Sequence, residues 1–132
     1  MNGGAALKLL AGRVTATIGR ASETEPLRGY ARQLGAAMTQ LGETTAALFA
    51  AGDPALILAN ATLYLEAFGH IVVAWLWLEQ MLAADGKAGD FYDGKRQAGQ
   101  YFFAWELPKV EAQLDLLKRL DATTLEMKDA WF

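Results

Sequence analysis

The passage YLEAFGHIVVAWLWLEQM, residues 64–81, is the most apolar part of the chain and carries its single histidine, His70. Such a passage is typical of a membrane span, of a cofactor site or of the central helix of a packed bundle. Twelve residues, one of them His70, separate Glu66 from Glu79, whereas a span needs about 18 or more apolar residues. The passage therefore predicts a buried helix, and we expect no membrane contact.

The composition is that of one helical domain without cysteine chemistry. The chain has 132 residues, 53% of them hydrophobic, and its three prolines leave room for long helices. The lack of cysteine excludes disulfides, thiolate metal sites and cysteine nucleophiles. The net charge of −3 argues against a nucleic-acid partner. The beginning, MNGGAALKLLAGR, has no apolar run before its first charge and does not resemble a signal peptide. We expect a cytoplasmic protein.

The spacing of apolar residues predicts an all-α fold, because it follows the helical period along nearly the whole chain and nowhere alternates convincingly as in a strand. We predict a single domain, residues 1–132, with helices at about 4–20, 26–51, 54–84 and 90–120. The third begins at Asp53, an N-cap residue type, followed by Pro54, which suits a first helical turn. Short connections favour an up-down-up-down four-helix bundle.

The fourth predicted helix changes phase at Pro108. Proline lacks an N–H and crowds the preceding turn, which predicts a kink within the helix. A short C-terminal tail follows. The apolar stripe before and after the proline consists of Phe91, Ala98, Phe102, Trp105, Val110, Leu114 and Leu117.

Glycines recur seven residues apart in the first two predicted helices. A glycine costs about 1 kcal/mol relative to alanine inside a helix. We therefore expect a neighbouring helix to approach closely at these positions, with a tolerant surface as the alternative. The positions are Gly12, Gly19, Gly35 and Gly42.

The single histidine limits the chemistry available to this chain. A di-iron bundle needs Glu-x-x-His on two helices, and a zinc site recruits several His or Cys ligands. We therefore predict no catalytic residue and no metal ligand. Because Glu66 and His70 are one helical turn apart, we interpret them as a local hydrogen-bonded or ion pair, with ligand binding as the alternative.

Seven residues are candidates for an interaction surface or for the lining of a ligand site. Aromatic residues at helical spacing are more often core, so a structural role is the alternative for each of them. Exposed aromatic residues would mark a docking face. The candidates are Glu66, His70, Trp75, Tyr92, Lys95, Tyr101 and Trp105.

Two passages resemble the helical extension that follows the catalytic domains in one branch of the acyl-CoA dehydrogenases, the acetyl-CoA dehydrogenase C-terminal-like domain. They are DPALILANATLYLEAFGHIVVAWLWLEQMLAA, residues 53–84, and FYDGKRQAGQYFFAWELP, residues 91–108. The resemblance is carried by Tyr-Leu-x-x-Phe-Gly at 64–69, the Trp-rich run at 74–78 and the Phe-Tyr…Lys…Tyr-Phe…Leu-Pro pattern of the second passage. The residues before 53 are compatible but less distinctive.

The resemblance implies a non-catalytic domain of an oxidoreductase. The parent enzymes are flavoproteins of fatty acid metabolism, which use FAD and a glutamate base to remove hydrogens from an acyl-CoA. Those parts belong to the preceding catalytic domains, so the resemblance implies no catalytic or cofactor-binding residue here and no cofactor bound by this chain. The implied partners are the catalytic domains. The bundle would pack on them and cover part of their acyl-CoA site. We expect a fragment, an excised domain or a separately encoded remnant.

Two other functions stay open at this point. One is a free-standing bundle that binds a small apolar or acyl ligand between its third and fourth helices. The other is a homo-oligomeric interaction module that uses the surplus of aromatic residues.

Overall fold

The computed structural model describes residues 4–132, and this part of the chain is all-α, as predicted. A π-helical segment, Phe102–Glu106, and two 3-10 turns, Glu25–Leu27 and Asp129–Trp131, complete the regular structure. The α-helices are α1 (Ala5–Ser22), α2 (Arg28–Ala50), α3 (Pro54–Leu58), α4 (Ala61–Ala83), α5 (Asp90–Tyr101), α6 (Lys109–Lys118) and α7 (Thr123–Glu126).

The long helices form a bundle in which α4 has the most neighbours. It contacts α1, α2, α5 and α6, while α2 also contacts α1 and α6. Side chains three and four residues apart share one face of a helix, and the buried face of α4 belongs to a single core with the other helices. The up-down-up-down order and the kink at Pro108 stay predictions. The buried residues of α4 are Ala67, Ile71, Ala74, Leu78 and Met81.

The third predicted helix is divided, and the prediction of one continuous helix over 54–84 is wrong. Asp53 caps α3 by accepting from the Ala55 N–H at 2.9 Å, but α3 ends at Leu58 and α4 begins at Ala61. At the break, the side-chain amide of Asn60 donates from Nδ2 to the backbone carbonyl oxygen of Asp121 at 2.9 Å. The C-terminal tail thus bonds to the chain where the helix is interrupted.

The fourth predicted helix consists of α5, the π-helical segment and α6. The Leu107 N–H donates to the Phe102 oxygen at 2.9 Å, a bond that reaches five residues back, and the next residue, Pro108, has no N–H to donate. A wider turn therefore replaces the α-helical turn just before the proline.

The π turn also shifts the phase of the side chains. Phe103 is buried, whereas Phe91 and Trp105, which belong to the predicted apolar stripe, are 70% and 68% exposed. The predicted stripe is wrong at these two positions. Trp105 lies within the π turn, where the α-helical spacing assumed by the prediction no longer holds, whereas Phe91 lies in the first turn of α5, ahead of the π turn. After the proline it is confirmed, since Val110, Leu114 and Leu117 are buried.

Helix α4 is long and apolar enough to cross a membrane by length and composition, and it is the one such helix within residues 4–132. Its 18-residue window has a mean hydropathy of 1.4, and 22% of that window is buried. The length argument from Glu66 and Glu79 therefore does not exclude a span. The absence of membrane contact stays a prediction, and the structure itself shows α4 packed on four other helices.

A polar network joins α4 to α1. The indole N–H of Trp75 donates to Thr17 Oγ1 at 2.7 Å, and the Thr17 hydroxyl donates to the Glu79 carboxylate at 2.5 Å. Arg20 pairs with the same carboxylate. Thr17 is buried, and a buried hydroxyl without a partner costs about 1–3 kcal/mol. The network therefore favours one placement of α1 on α4.

The recurring glycines of α1 and α2 are not closely approached by another helix. An added Cβ meets open space at Gly12, Gly19 and Gly42 and makes only an ordinary contact at Gly35. They therefore lie on a tolerant surface, which was the alternative prediction. The close approach occurs instead in α5. A Cβ on Gly99 would overlap Met81 Sδ and lie 2.9 Å from Met81 Cγ. Helix α5 therefore packs on α4 through a residue without a side chain.

Replacing Gly99 by alanine is expected to lower the free energy of unfolding by about 1–3 kcal/mol, because the new methyl group overpacks the interface with Met81. Gly94→Ala is the matched control on the same helix, since a Cβ there meets open space. It is expected to raise the free energy of unfolding by up to about 1 kcal/mol. Urea unfolding measures both, and equal effects of the two variants would contradict this packing.

Candidate interaction surface

His70 of α4 bonds through both of its ring nitrogens. Nδ1 lies 3.0 Å from the backbone oxygen of Glu66, and Nε2 lies 3.3 Å from Glu106 Oε2. A backbone oxygen and a carboxylate are both acceptors, so the two bonds form together only when both nitrogens carry a proton. Glu66 thus contacts His70 through its backbone, and the charged partner of the histidine is Glu106.

Glu106 forms a small charged cluster between α4 and the start of α6. Its carboxylate accepts bonds from Lys109 Nζ at 3.0 and 3.2 Å as well as contacting His70. The hydrogen bond from Lys109, and after it that from His70, lower the pKa of Glu106 below its ordinary value of 4.5. The carboxylate is therefore held in its charged form.

The π-helical segment places this cluster beside α4. π-Helical turns are rare and occur frequently at functional sites. Within the segment, Phe102 lies against His70 with ring centroids 6.0 Å apart, and Phe103 packs in the core against Tyr30 at 5.0 Å. The segment thus sends one aromatic ring to His70 and the next into the core.

Tyr101 and Trp105 form an aromatic pair on the surface. Their ring centroids are 6.1 Å apart and nearly parallel, and the two residues are 53% and 68% exposed. Of the seven sequence candidates, these two are the most exposed aromatic residues and contact each other directly.

Tyr92 and Lys95 lie near the start of α5. Lys95 Nζ is 5.4 Å from the ring centroid of Phe91 and 5.9 Å from that of Trp77, which are cation–π distances. Tyr92 lies under the Lys87 ammonium at 5.3 Å. Among the ion pairs of residues 4–132, none involves Lys95.

Trp75 does not join the other candidates. It is half-buried on the side of α4 that faces α1, where its N–H is used by Thr17. The structure therefore divides the seven candidates among a bundle contact at Trp75, the His70 region with Glu66, the start of α5, and the exposed pair of Tyr101 and Trp105.

The outer face of α4, defined by Leu65, Gly69, Val73 and Leu76, is not covered by another helix. Leu65 is 71% exposed and Leu76 is 47% exposed. The face carries no charge, since the only charged residues of α4 are Glu66 and Glu79 and helical spacing places them at its two edges. A contiguous apolar surface of this kind is characteristic of an interaction site.

A second apolar surface, the end cleft, lies where α2, α3 and α4 meet. Phe49 is 73% and Leu58 is 65% exposed there. Two hydroxyl groups in the cleft, those of Thr45 and Tyr64, form a hydrogen bond with each other at 2.8 Å. A molecule in the cleft therefore need not supply a hydrogen-bond partner for them. The cleft has a volume of about 170 Å³ and is lined by Thr45, Leu48, Phe49, Ile57, Leu58, Ala61 and Tyr64.

The grouping of acidic residues and histidine bears on metal binding, and the charges that line the clefts bear on FAD. Residues 4–132 bring together no group of three or more His, Cys, Asp or Glu side chains that could hold a metal ion. The cleft between α2 and α6 measures about 330 Å³, and Glu111 is the one charged residue in its lining. A carboxylate would repel the pyrophosphate of a dinucleotide there, whereas a cleft of the same volume between α4 and α5 has Lys87 and Lys95 in its lining. The absence of a bound cofactor stays a prediction, and no step involving FAD is assigned to this chain.

The sequence did not predict the residues that form hydrogen bonds with His70 and Trp75. Glu106 is 36 positions from His70, and Thr17 is 58 positions from Trp75. Neither pair has a local sequence pattern, because each is made by the packing of separate helices. The one available signal was Pro108, which indicated an irregular turn close to Glu106.

The fold is that of an all-α bundle domain, and the comparisons with known proteins identify which kind. Residues 10–128 match the family model described as acetyl-CoA dehydrogenase C-terminal like. The chain belongs to this family, which confirms the resemblance found in the sequence. No match was found among curated proteins or among solved structures.

The cluster at Glu106 is expected to stabilise the fold in a pH-dependent way. Since the folded-state pKa of Glu106 is lowered, its contribution is complete above the unfolded value of 4.5 and is lost as the pH falls below it. Glu106→Gln should therefore be less stable than the parent chain at pH 7, with a difference that shrinks as the pH falls below 4.5.

Thermal unfolding at a series of pH values measures that difference. Glu23→Gln is the control, because Glu23 is exposed and takes part in none of the ion pairs of residues 4–132. A difference between Glu106→Gln and the parent chain that stays constant from pH 7 to pH 3 would contradict the charged cluster.

Proposed function

We propose that this chain is the non-catalytic C-terminal helical domain of an FAD-dependent acyl-CoA dehydrogenase. The family match over residues 10–128 carries the proposal. In this account, FAD, the catalytic base and acyl-CoA oxidation belong to the catalytic domains, and the chain acts in the cytoplasm. The domain is an up-down-up-down bundle, bent at Pro108, that packs on those catalytic domains and stabilises them.

The end cleft is the surface that we assign to this packing. Phe49 and Leu58 are both more than half exposed, and burying apolar area stabilises an interface by about 25 cal/mol per Å². Interfaces between domains of one chain bury about 600–1,500 Å², so the cleft would be the centre of a larger contact. Apolar side chains from the catalytic domains are its proposed occupants, and the docked bundle then covers part of the acyl-CoA site.

The alternative of a ligand held between the third and fourth predicted helices is less well supported. The α4–α5 interface is filled where Met81 contacts Gly99 too closely for a Cβ, and Phe103 fills the core nearby. An acyl ligand at this level would have to displace these side chains. The cleft of about 330 Å³ that α4 and α5 do form lies nearer their connection and has Lys87 and Lys95 in its lining. The packing therefore favours an interaction domain over a small-molecule carrier.

The absence of catalysis in the chain itself is the first part of the test. The purified chain is assayed with an acyl-CoA and an artificial electron acceptor, with and without added FAD. We expect no turnover above background. Turnover, or a yellow protein on purification, would contradict the proposal, since both require a flavin site within this chain.

The docking surface is tested by binding the chain to the catalytic domains expressed separately. Phe49→Glu and Leu58→Glu are each expected to raise the Kd about tenfold or more, as for residues central to an interface. Leu9→Glu on α1 is the matched control, because Leu9 is 65% exposed and the change in charge is the same. Equal effects of all three variants, or no binding by the parent chain, would count against the end cleft.

A further inference from the structure

The outer face of α4 has a shape that can pair with a copy of itself. Gly69 leaves a gap in the row of apolar side chains, called the notch below, because it has no side chain and a Cβ built there meets open space. Leu76, two turns further along, is 47% exposed and projects from the same face. The face therefore has one position without a side chain, at Gly69, among the exposed apolar side chains of Leu65, Val73 and Leu76.

Two-fold symmetry brings the projection and the notch together. If two α4 helices run antiparallel about a point between Val72 and Val73, Leu76 of each copy lies opposite Gly69 of the other, because both residues are equally far from that point. An isologous interface makes every such contact twice. Leu65 then lies opposite Gln80, at the ends of the contact.

The charges beside the outer face are complementary under the same symmetry. Glu66 and Trp77 lie on the edge of α4 that faces α5, because His70, between them at helical spacing, contacts Phe102. Lys95 extends over Trp77 and so stands at this edge beyond the symmetry point. Two-fold rotation brings Glu66 of one copy to the level of Lys95 of the other.

Neither of these two charges is neutralised by an opposite charge within the described residues, although Lys95 lies over the rings of Phe91 and Trp77. Among the ion pairs of residues 4–132, none involves Glu66 or Lys95. Complementary charges at the rim of an interface fix its register and orientation. The notch, the projecting leucine and the two rim charges thus specify one arrangement.

We propose that two copies of this chain associate through the outer faces of their α4 helices, antiparallel, with Leu76 seated on Gly69 and Glu66 paired with Lys95. The occupant of this face is a second copy of the chain. The interface does not involve Phe49 or Leu58 of the end cleft. Dimer formation and docking on the catalytic domains can therefore be tested independently, and either can be absent without the other.

Sedimentation equilibrium of the intact chain measures the association. Gly69→Leu fills the notch and is expected to raise the dimer Kd about tenfold or more, while circular dichroism shows that the helices are retained. Gly12→Leu on α1 is the matched control, because a Cβ there also meets open space, and it should leave the Kd unchanged. A monomeric parent chain, or equal effects of the two variants, would overturn the proposal.

A cysteine trap tests the orientation, since the chain has no cysteine of its own. Val73→Cys lies beside the two-fold axis and should form an intermolecular disulfide on mild oxidation. Leu65→Cys should not, because about 15 residues, or roughly 22 Å of helix, separate it from its own copy in the antiparallel pair. Efficient cross-linking of Leu65→Cys would show a parallel pair and contradict the proposed symmetry.

Exchange of the charges of Glu66 and Lys95 tests the register of the dimer. It also tests whether the outer face of α4 binds a second copy of the chain or another partner. Glu66→Lys and Lys95→Glu should each weaken the dimer about threefold or more, and the double variant should restore it, because exposed pairs contribute modestly and each occurs twice. Failure of the double variant to recover would overturn the pairing. Flotation with phosphatidylcholine–phosphatidylglycerol vesicles, abolished by Leu76→Glu, would assign the face to lipid instead.

Discussion

The unequal burial of the two sides of α4 is the constraint on which the rest of the structure depends. One side contributes Ala67, Ile71, Ala74 and Leu78 to the core shared with four other helices. The other side is equally apolar but uncovered. A helix that is apolar all round is normally buried on every side. The burial of α4 on one side only therefore distinguishes it from an ordinary core helix.

Specific contacts fix the positions of α1, α5 and the π-helical segment relative to α4. On one flank, the hydroxyl of Thr17 accepts from Trp75 and donates to Glu79, which links α1 to α4. On the other, the closeness of Met81 to Gly99 links α5 to α4. The charged cluster of His70 and Glu106 then fixes the π-helical segment beside the same helix. These links fix the orientation of the outer surfaces that the bundle exposes.

The sequence predicts the parts of this fold that depend on local spacing. The helical period, the Asp53–Pro54 start and the buried stripe after Pro108 follow from residue types within a few turns of each other. The division of the third helix does not, because it involves a bond from Asn60 to the distant tail. The π turn was also missed, and with it the exposure of Trp105, because a change of helical pitch leaves no apolar pattern of its own.

The candidate surfaces were predictable only in part. The sequence singles out the candidates by residue type, as aromatic or charged, but their surroundings depend on tertiary packing. Trp75 faces α1, whereas Trp105 faces solvent, although both occur in apolar helical passages. The family was recognisable from motifs that lie in α4, α5 and the π-helical segment, and the family match extends over residues 10–128.

The two-sided character of α4 is tested most directly by comparing Leu78→Ala with Leu76→Ala in urea unfolding, at a protein concentration where the chain is monomeric. Leu78 is fully buried and Leu76 is 47% exposed on the same helix. The account predicts a loss of about 2–5 kcal/mol for Leu78→Ala and a change within about 0.5 kcal/mol for Leu76→Ala. Equal losses for the two variants would contradict it.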